Sequence, residues 1–440
     1  MSALQYGLTP KMKPLAANRS AKIAVLDVGT SKVACLIGRL KPRPPADVLR
    51  GRTHSVHIIG FGHTVARGMK AGTVTDLAEA ETAVRQAVDL AERSAKLQLQ
   101  SAIVSVSSGR PSSELISASI DVASSAISDR EITRVLSAGS RYSVRESRGV
   151  LHSLPIGYVV DNARGIRDPR GMLARKFGID MHVVTTDVSV ARNLMLAVER
   201  CHLNVEAMVA SPYVAGLAVL ADDESDLGAA VIDMGAGTTT IAVFGGDRFI
   251  HADGFALGGS HVTMDIARGL NARVADAERI KTLYGSVLSG ASDERDMIAV
   301  PSVDADASEA PQFVPRAQLV RIIKPRVEEI LEMARDRLAN SPFAAEPRGR
   351  VILTGGASQL TGLGDLAQQI LGRPVRIGRP LGVSGLNEAA KGPAFAVAAG
   401  LTIYPQTAHL EHFEPRKTRH SATGRGGYIA RVGRWLRESF

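Results

Sequence analysis

Two stretches about half the chain apart carry the same pattern, and any fold must accommodate both. They are Ala24-Val25-Leu26-Asp27-Val28-Gly29-Thr30-Ser31-Lys32 and Ala230-Val231-Ile232-Asp233-Met234-Gly235-Ala236-Gly237-Thr238-Thr239-Thr240. Each is an apolar strand closing on Asp-x-Gly, then small hydroxylated residues, then a second apolar run, Val33 to Ile37 or Ile241 to Phe244. That pattern predicts a hairpin with a tight glycine turn. Either copy alone reads as an ordinary β-turn. Two copies in matching context point to a nucleotide's phosphate tail held between two turns. Glycine lets backbone N–H groups approach phosphate oxygens, Thr and Ser hydroxyls add donors, and an Asp at each turn can hold a hydrated Mg²⁺.

A chain of 440 residues is too long for one ordinary core and predicts two lobes or more. Cys35, in a predicted buried strand, and Cys201, after a helix, fit buried thiols in a reducing compartment better than a disulfide or a metal site. Met1 to Ser20 reads as neither a signal peptide nor a span, and no run reaches the ~18 apolar residues of a transmembrane helix. The net charge of +9 sits at the ends: Lys11, Lys13, Arg19 and Lys22 at one, and Arg416, Lys417, Arg419, Arg425, Arg431, Arg434 and Arg437 against Glu438 at the other. With the body near neutral, the pattern argues against a folded nucleic-acid face and for a terminal surface that meets a membrane.

The expected architecture is α/β. An unstructured 1–21 precedes a first lobe, 22–100 and 184–215, interrupted by an inserted α+β unit at 101–183. The second lobe is expected over 216–263, an outer subdomain over 264–345, and a continuation with a return helix over 346–405. A helix is predicted after the Gly68–Asp76 turn, and a mobile acidic loop over 285–311. A long helix from Ala317 to Ala339 is expected to be interrupted at Pro325. A strand ending in Gly355-Gly356 is expected to open a helix, its glycines letting backbone lie against a purine or ribose.

The two hairpins and this third loop, in that order, resemble the nucleotide-binding elements of the actin, Hsp70 and sugar-kinase superfamily. Gly68-Met69-Lys70-Ala71-Gly72-Thr73-Val74, Val150-Leu151-His152-Ser153-Leu154-Pro155, Gly258 to Ala267 and Arg376-Ile377-Gly378-Arg379-Pro380 narrow the resemblance to the bacterial FtsA cell-division family, over roughly residues 20 to 405. The inserted unit and the character of the tail resemble that family too. The resemblance implies a two-lobed actin-like fold binding ATP and Mg²⁺. It gives Asp27, Gly29, Thr30, Ser31 and Lys32 to a first phosphate loop and Gly235, Gly237, Thr238 and Thr239 to a second, with Asp27 and Asp233 at the metal through water. Glu278 and Lys281 match a Glu-x-x-Lys pair that reaches ribose hydroxyls; on spacing alone the two read equally as an intrahelical ion pair. Gly355, Gly356 and Ser358 would flank adenosine. Where hydrolysing relatives place a Glu or Gln to orient water, this chain has Ala210-Ser211-Pro212-Tyr213, a lack the family shares, so slow or negligible turnover is expected and no catalytic residue is assigned. Arg326 is assigned by resemblance to the C-terminal peptide of FtsZ, with an ion pair to Glu329 as its alternative.

Residues 406–427 read as a flexible linker before Tyr428 to Phe440. At helical spacing Tyr428, Ile429, Val432, Trp435, Leu436 and Phe440 share one arc opposite Arg431, Arg434 and Arg437, as in a helix lying in a lipid interface. Docking of that helix on the core is the alternative. Each Arg adds about 1 kcal/mol at an anionic surface and the short apolar face a few more, so one copy should bind reversibly and several together firmly. The reading is an ATP-binding adaptor that self-assembles into filaments and tethers FtsZ to the cytoplasmic face of the inner membrane at the division septum. Other divisome proteins are expected on the inserted unit, and nucleic acid is not a partner. A metabolite kinase would need a carboxylate base that no motif supplies. A chaperone would need an appended β domain, and an actin-like pilus-assembly ATPase would not need the tail.

Overall fold

The apolar run of β1 (Ala21–Val28) is buried on both faces from Ala24 onward, which places it inside a sheet rather than at an edge. The computed structural model describes residues 8, 12, 15–44, 46, 48–49, 51–108, 110–122, 126–142, 144–301, 311–346 and 349–413. The linker expected over 406–427 is corrected at its start, where Gln406 is buried and the His412 N–H donates to Ser153 O; its remainder and the amphipathic helix lie outside these residues. β1 pairs antiparallel with β2 (Lys32–Pro42), which pairs with β3 (His54–Val65). A short ribbon, β4 (Met69–Lys70) and β5 (Thr73–Val74), precedes α1 (Leu77–Ala95). Asp76 caps α1 by accepting the Glu79 N–H at 3.0 Å, and α1 buries Ala80, Ala83, Val84, Ala87, Val88 and Ala91, the helical stripe legible in sequence.

β6 (Ser101–Val106) then lies parallel to β1 in the first-lobe sheet. This corrects the boundary at 101: Ala102, Ile103, Val104 and Val106 are buried in the first-lobe core. The inserted sheet starts only at β7 (Ser112–Asp121). It continues through α2 (Asp129–Gly139), β8 (Arg148–Val160), β9 (Ala163–Ile166) and β10 (Lys176–Asp187), in the order β7-β10-β8-β9, over its own core of Val135, Phe177, Ile179, Met181 and Val183. α3 (Val188–Glu199) and β11 (Asn204–Ala210) return to the first lobe, whose sheet reads β11-β6-β1-β2-β3 with a short edge strand after β3. α4 (Ser211–Val219), buried along nearly its whole length, crosses to the second lobe.

There, after the single turn α5 (Glu224–Leu227), the plan repeats: β12 (Ala229–Met234), β13 (Thr239–Gly245) and β14 (Arg248–Phe255) form a meander, with β12 central. The outer part is α6 (Gly259–Gly269), α7 (Val274–Tyr284), the ribbon β15 (Met297–Val300) with β16 (Gln312–Pro315), and α8 (Arg316–Ala339). Two expectations change here. α8 runs continuously through Pro325, because its buried face (Leu319, Val320, Ile323, Val327, Ile330, Leu331) docks along one side and outweighs one missing backbone donor. The stretch expected as loop contains β15, whose Ile298 and Val300 are buried in the second-lobe core. β17 (Arg350–Thr354) pairs parallel with β12; the double glycine after it starts a single 3₁₀ turn, and α9 (Leu363–Leu371) begins only later. β18 (Val375–Ile377) edges the second sheet, and β19 (Val383–Ser384) is the edge strand beside β3. α10 (Ala396–Ile403), buried throughout, returns to pack beside α4.

Candidate functional site in the inter-lobe cleft

Both Asp-x-Gly segments close as hairpins with the same bond. The Gly29 N–H donates to Lys32 O at 2.9 Å, and the Gly235 N–H donates to Thr238 O at 2.9 Å. The loops face each other across the lobes and touch. A Cβ on Gly237 would stand 2.5 Å from Thr30 Oγ1 and 2.9 Å from Ala71 Cα, so no side chain fits between them. Thr30 Oγ1 accepts the Gly72 N–H at 2.8 Å, which ties the Gly68–Val74 turn to the first loop.

Asp27 accepts from Ser105 Oγ at 2.7 Å. Asp233 is buried, and desolvation, reinforced by the Asp27 carboxylate and opposed by Lys32, pushes its carboxyl up to about 7. Two nearby carboxyl groups, one pushed up by burial and further by the other's charge, form a site that a cation would relieve. Among the described residues no group of three or more His, Cys, Asp or Glu could enclose a metal. Asp27 and Asp233 are oxygen donors of the kind a hard cation takes. Lys32 donates to Ala394 O and lies 4.7 Å from the Phe395 ring centroid, joining the first loop to the turn before α10.

On the other side, α6 starts against the second loop: Gly259 N–H donates to Gly235 O at 2.9 Å and Ser260 N–H to Ala236 O at 2.8 Å. Lys281 donates to Glu278 at 2.7 Å, to Thr263 Oγ1 at 2.9 Å and to Gly259 O at 3.1 Å. The Glu-x-x-Lys pair is thus an ion pair folded onto the first turn of α6 beside the phosphate loop, with the lysine largely buried. Gly355 has φ +86°, and a Cβ on it would lie 2.4 Å from Asp233 Oδ1. Two expected donors are engaged internally: Ser358 Oγ donates to Gly355 O at 2.7 Å, and Thr239 Oγ1 to Leu257 O at 2.8 Å. Ser31 is exposed, Thr238 half-buried, and Gly356 sits at the start of the 3₁₀ turn. Ser105, Gly72 and Ala394 join the cleft without having been singled out as site residues, each brought there by a tertiary contact. Ser211 is fully buried, with no hydrogen-bond partner for its hydroxyl among the described residues.

Arg326 lies on α8, away from these loops. Its guanidinium donates to Asp265 at 2.6 Å and also to Glu329. Elsewhere the outer part of the second lobe exposes Met264, Leu283, Tyr284, Met297 and Phe313, with Tyr284 beside Arg316 at the start of α8.

A family model described as cell division protein FtsA matches residues 230–400, and one described as the SHS2 domain inserted in FtsA matches 108–185. The chain is 52% identical over 436 residues to a cell division protein FtsA of Agrobacterium fabrum, covering 99% of this chain and 98% of that one. It is 31% identical over 422 residues to a cell division protein FtsA of Escherichia coli (strain K12), covering 94% and 97%. Among solved structures it is similar in fold to the PilM-PilN type IV pilus biogenesis complex (TM-score 0.59, 17% identity, 88% of this chain and 99% of that one). It is similar also to MreB 5 of Spiroplasma citri bound to AMPPNP (TM-score 0.52, 13% identity, 88% and 97%).

Proposed function

Because the chain belongs to the FtsA family of cell division proteins, we propose that it is an ATP-binding, actin-like adaptor that self-assembles and tethers FtsZ to the cytoplasmic membrane. The observation that carries the nucleotide part is the pair of matched hairpins, closed by the same bond and set against each other at Thr30 and Gly237. The phosphates would lie against the backbone N–H groups of the two turns, with Ser31, Lys32 and Thr238 as side-chain donors. Asp27 and Asp233 would hold Mg²⁺ through water, and the ion supplies charge neutralisation to the phosphates when bound. Glu278 and Lys281 would reach the ribose from the start of α6, and Gly355 and Gly356 would admit the base edge.

Ser211 would stand where hydrolysing relatives orient water. A serine hydroxyl is no base at neutral pH, so ATP would serve mainly to hold the lobes together. Phosphate release at the pace of a working kinase, roughly 1–100 s⁻¹, would contradict that. Partner binding would use the outer part of the second lobe. There Arg326 would exchange an internal carboxylate for one on the FtsZ peptide.

Calorimetric titration of the full chain with Mg²⁺ and ATP tests the nucleotide reading. One site per chain is expected in the wild type and none in Gly237→Val, which forces a side chain into Thr30. Equal affinity in a folded Gly237→Val, or no binding by the wild type, rejects it.

A further inference from the structure

The Val150–Pro155 stretch carries a histidine that is not a member of the phosphate loops. His152 is fully buried on β8, where its Nε2 accepts the Ala210 N–H at 2.9 Å. An accepting Nε2 leaves the ring proton on Nδ1, and Glu411 Oε1 stands 2.9 Å from that atom. Tyr404 OH donates to the same Glu411 oxygen at 2.6 Å. The imidazole lies edge-on to Tyr213, with centroids 5.1 Å apart. Just beyond, the His412 N–H donates to Ser153 O at 2.9 Å, fastening the segment after α10 along β8.

The far end of this chain of bonds is at the cleft. Ala210 ends β11, beside Val106 of β6 in the register, and the preceding β6 residue, Ser105, donates to Asp27. β11, β6 and β1 run parallel, so Ala210 stands on the strand-end edge that carries the first phosphate loop, the edge at which open α/β sheets bind ligands. Ala210 is also the N-cap of α4 and has no side chain with which to cap it. Without His152, its N–H would be a buried donor with nothing to bond. Glu411 meanwhile keeps Oε2 buried and without a hydrogen-bond partner among the described residues, an arrangement that packing alone does not reward.

We propose that His152 is a positioning residue of the nucleotide cleft. It fixes the Ala210–Ser211 corner, and it is held in the accepting tautomer by Glu411, so the segment from which the C-terminal tail departs is a working part of the cleft. This rests on the ATP-binding reading above. The relay consists of Ala210, His152, Glu411 and Tyr404, and it joins β11, the inserted unit and the post-α10 segment through one buried imidazole. A pull on the C-terminal segment would reach the phosphate site through it.

The test compares full-length wild type, His152→Leu, His152→Gln and Glu411→Leu by two readouts: amide exchange at Ala210 with Leu26 of β1 as reference, and ATP affinity by calorimetry. In His152→Leu, Ala210 is expected to exchange at least tenfold faster with Leu26 unchanged, and ATP affinity to fall roughly tenfold. His152→Gln, whose side-chain carbonyl can accept the same N–H, should recover most of both. Glu411→Leu, which leaves the Nδ1–H without its acceptor, should weaken ATP binding in the same direction and speed exchange at Ala210. Exchange that rises equally at Ala210 and Leu26, or ATP affinity unchanged in all variants, overturns the proposal. Should His152→Leu not fold, Glu411→Leu decides: unchanged exchange and affinity there also overturn it. If the wild type itself fails to bind ATP, the nucleotide reading falls, and the exchange arm alone decides whether His152 fixes the corner.

Discussion

A carboxyl group removed from water and faced by a second carboxylate keeps its proton far above the ordinary range, and Asp233 is in that position, pushed from 3.8 to about 7. Between those two values the folded chain binds a proton that the unfolded chain has released, so stability falls as pH rises through the window. A shift of about three units sets a ceiling of about 4 kcal/mol. Nucleotide-free Asp233→Asn, neutral at every pH, is therefore expected to melt above the wild type at pH 8 and to converge with it near pH 4. Mg²⁺ should narrow the gap at pH 8 by stabilising the wild-type carboxylate. Thermal melts at the two pH values check this, and a wild type more stable than the variant at pH 8 without Mg²⁺ would contradict it. Asp27 and Asp233 were legible in the sequence because everything that marks them lies within a few residues. Ser105, Gly72 and Ala394 were not: their contacts with Asp27, Thr30 and Lys32 join residues 78, 42 and 362 positions apart.

Elements were legible where their period was strong. The repeated strands and the stripe on α1 needed no tertiary information. β15 was hidden because only Ile298 and Val300 of its four residues face inward, inside an otherwise polar stretch. Pro325 is a strong local breaker that α8 overrides through its buried face. Pro325 immediately precedes Arg326, whose sequence alternative, the pair with Glu329, is present together with Asp265. Half-exposed pairs of this kind contribute at most about 1 kcal/mol. Arg326→Gln is accordingly expected to shift the melting temperature little while weakening the FtsZ C-terminal peptide at least about tenfold, the loss of one charge-assisted contact. Fluorescence anisotropy with the labelled peptide reads this, and an unchanged affinity would remove Arg326 from the partner site while leaving the family assignment intact.

At the scale of the molecule, the inserted unit does more than decorate the first lobe, because it also braces the second. His182 on β10 meets Phe249 O and Ser113 Oγ at 2.8 Å each, and Ser113 Oγ accepts the Ala252 N–H at 2.5 Å. Burial pushes the His182 imidazole down to about 3, so this bridge stays neutral across the physiological range. Among the described residues no helix is long and apolar enough to cross a membrane, and the sequence expectation places attachment in the tail. Sedimentation of FtsZ with anionic vesicles in the presence of the full chain, Mg²⁺ and ATP tests the adaptor function most directly. FtsZ should pellet with the vesicles when the wild type is present. It should stay in the supernatant with Trp435→Glu, which places a charge on the apolar arc but should leave ATP affinity and melting temperature unchanged. FtsZ that pellets equally with Trp435→Glu, or a variant that is destabilised yet still membrane-bound, would contradict a membrane adaptor anchored by its C-terminal helix.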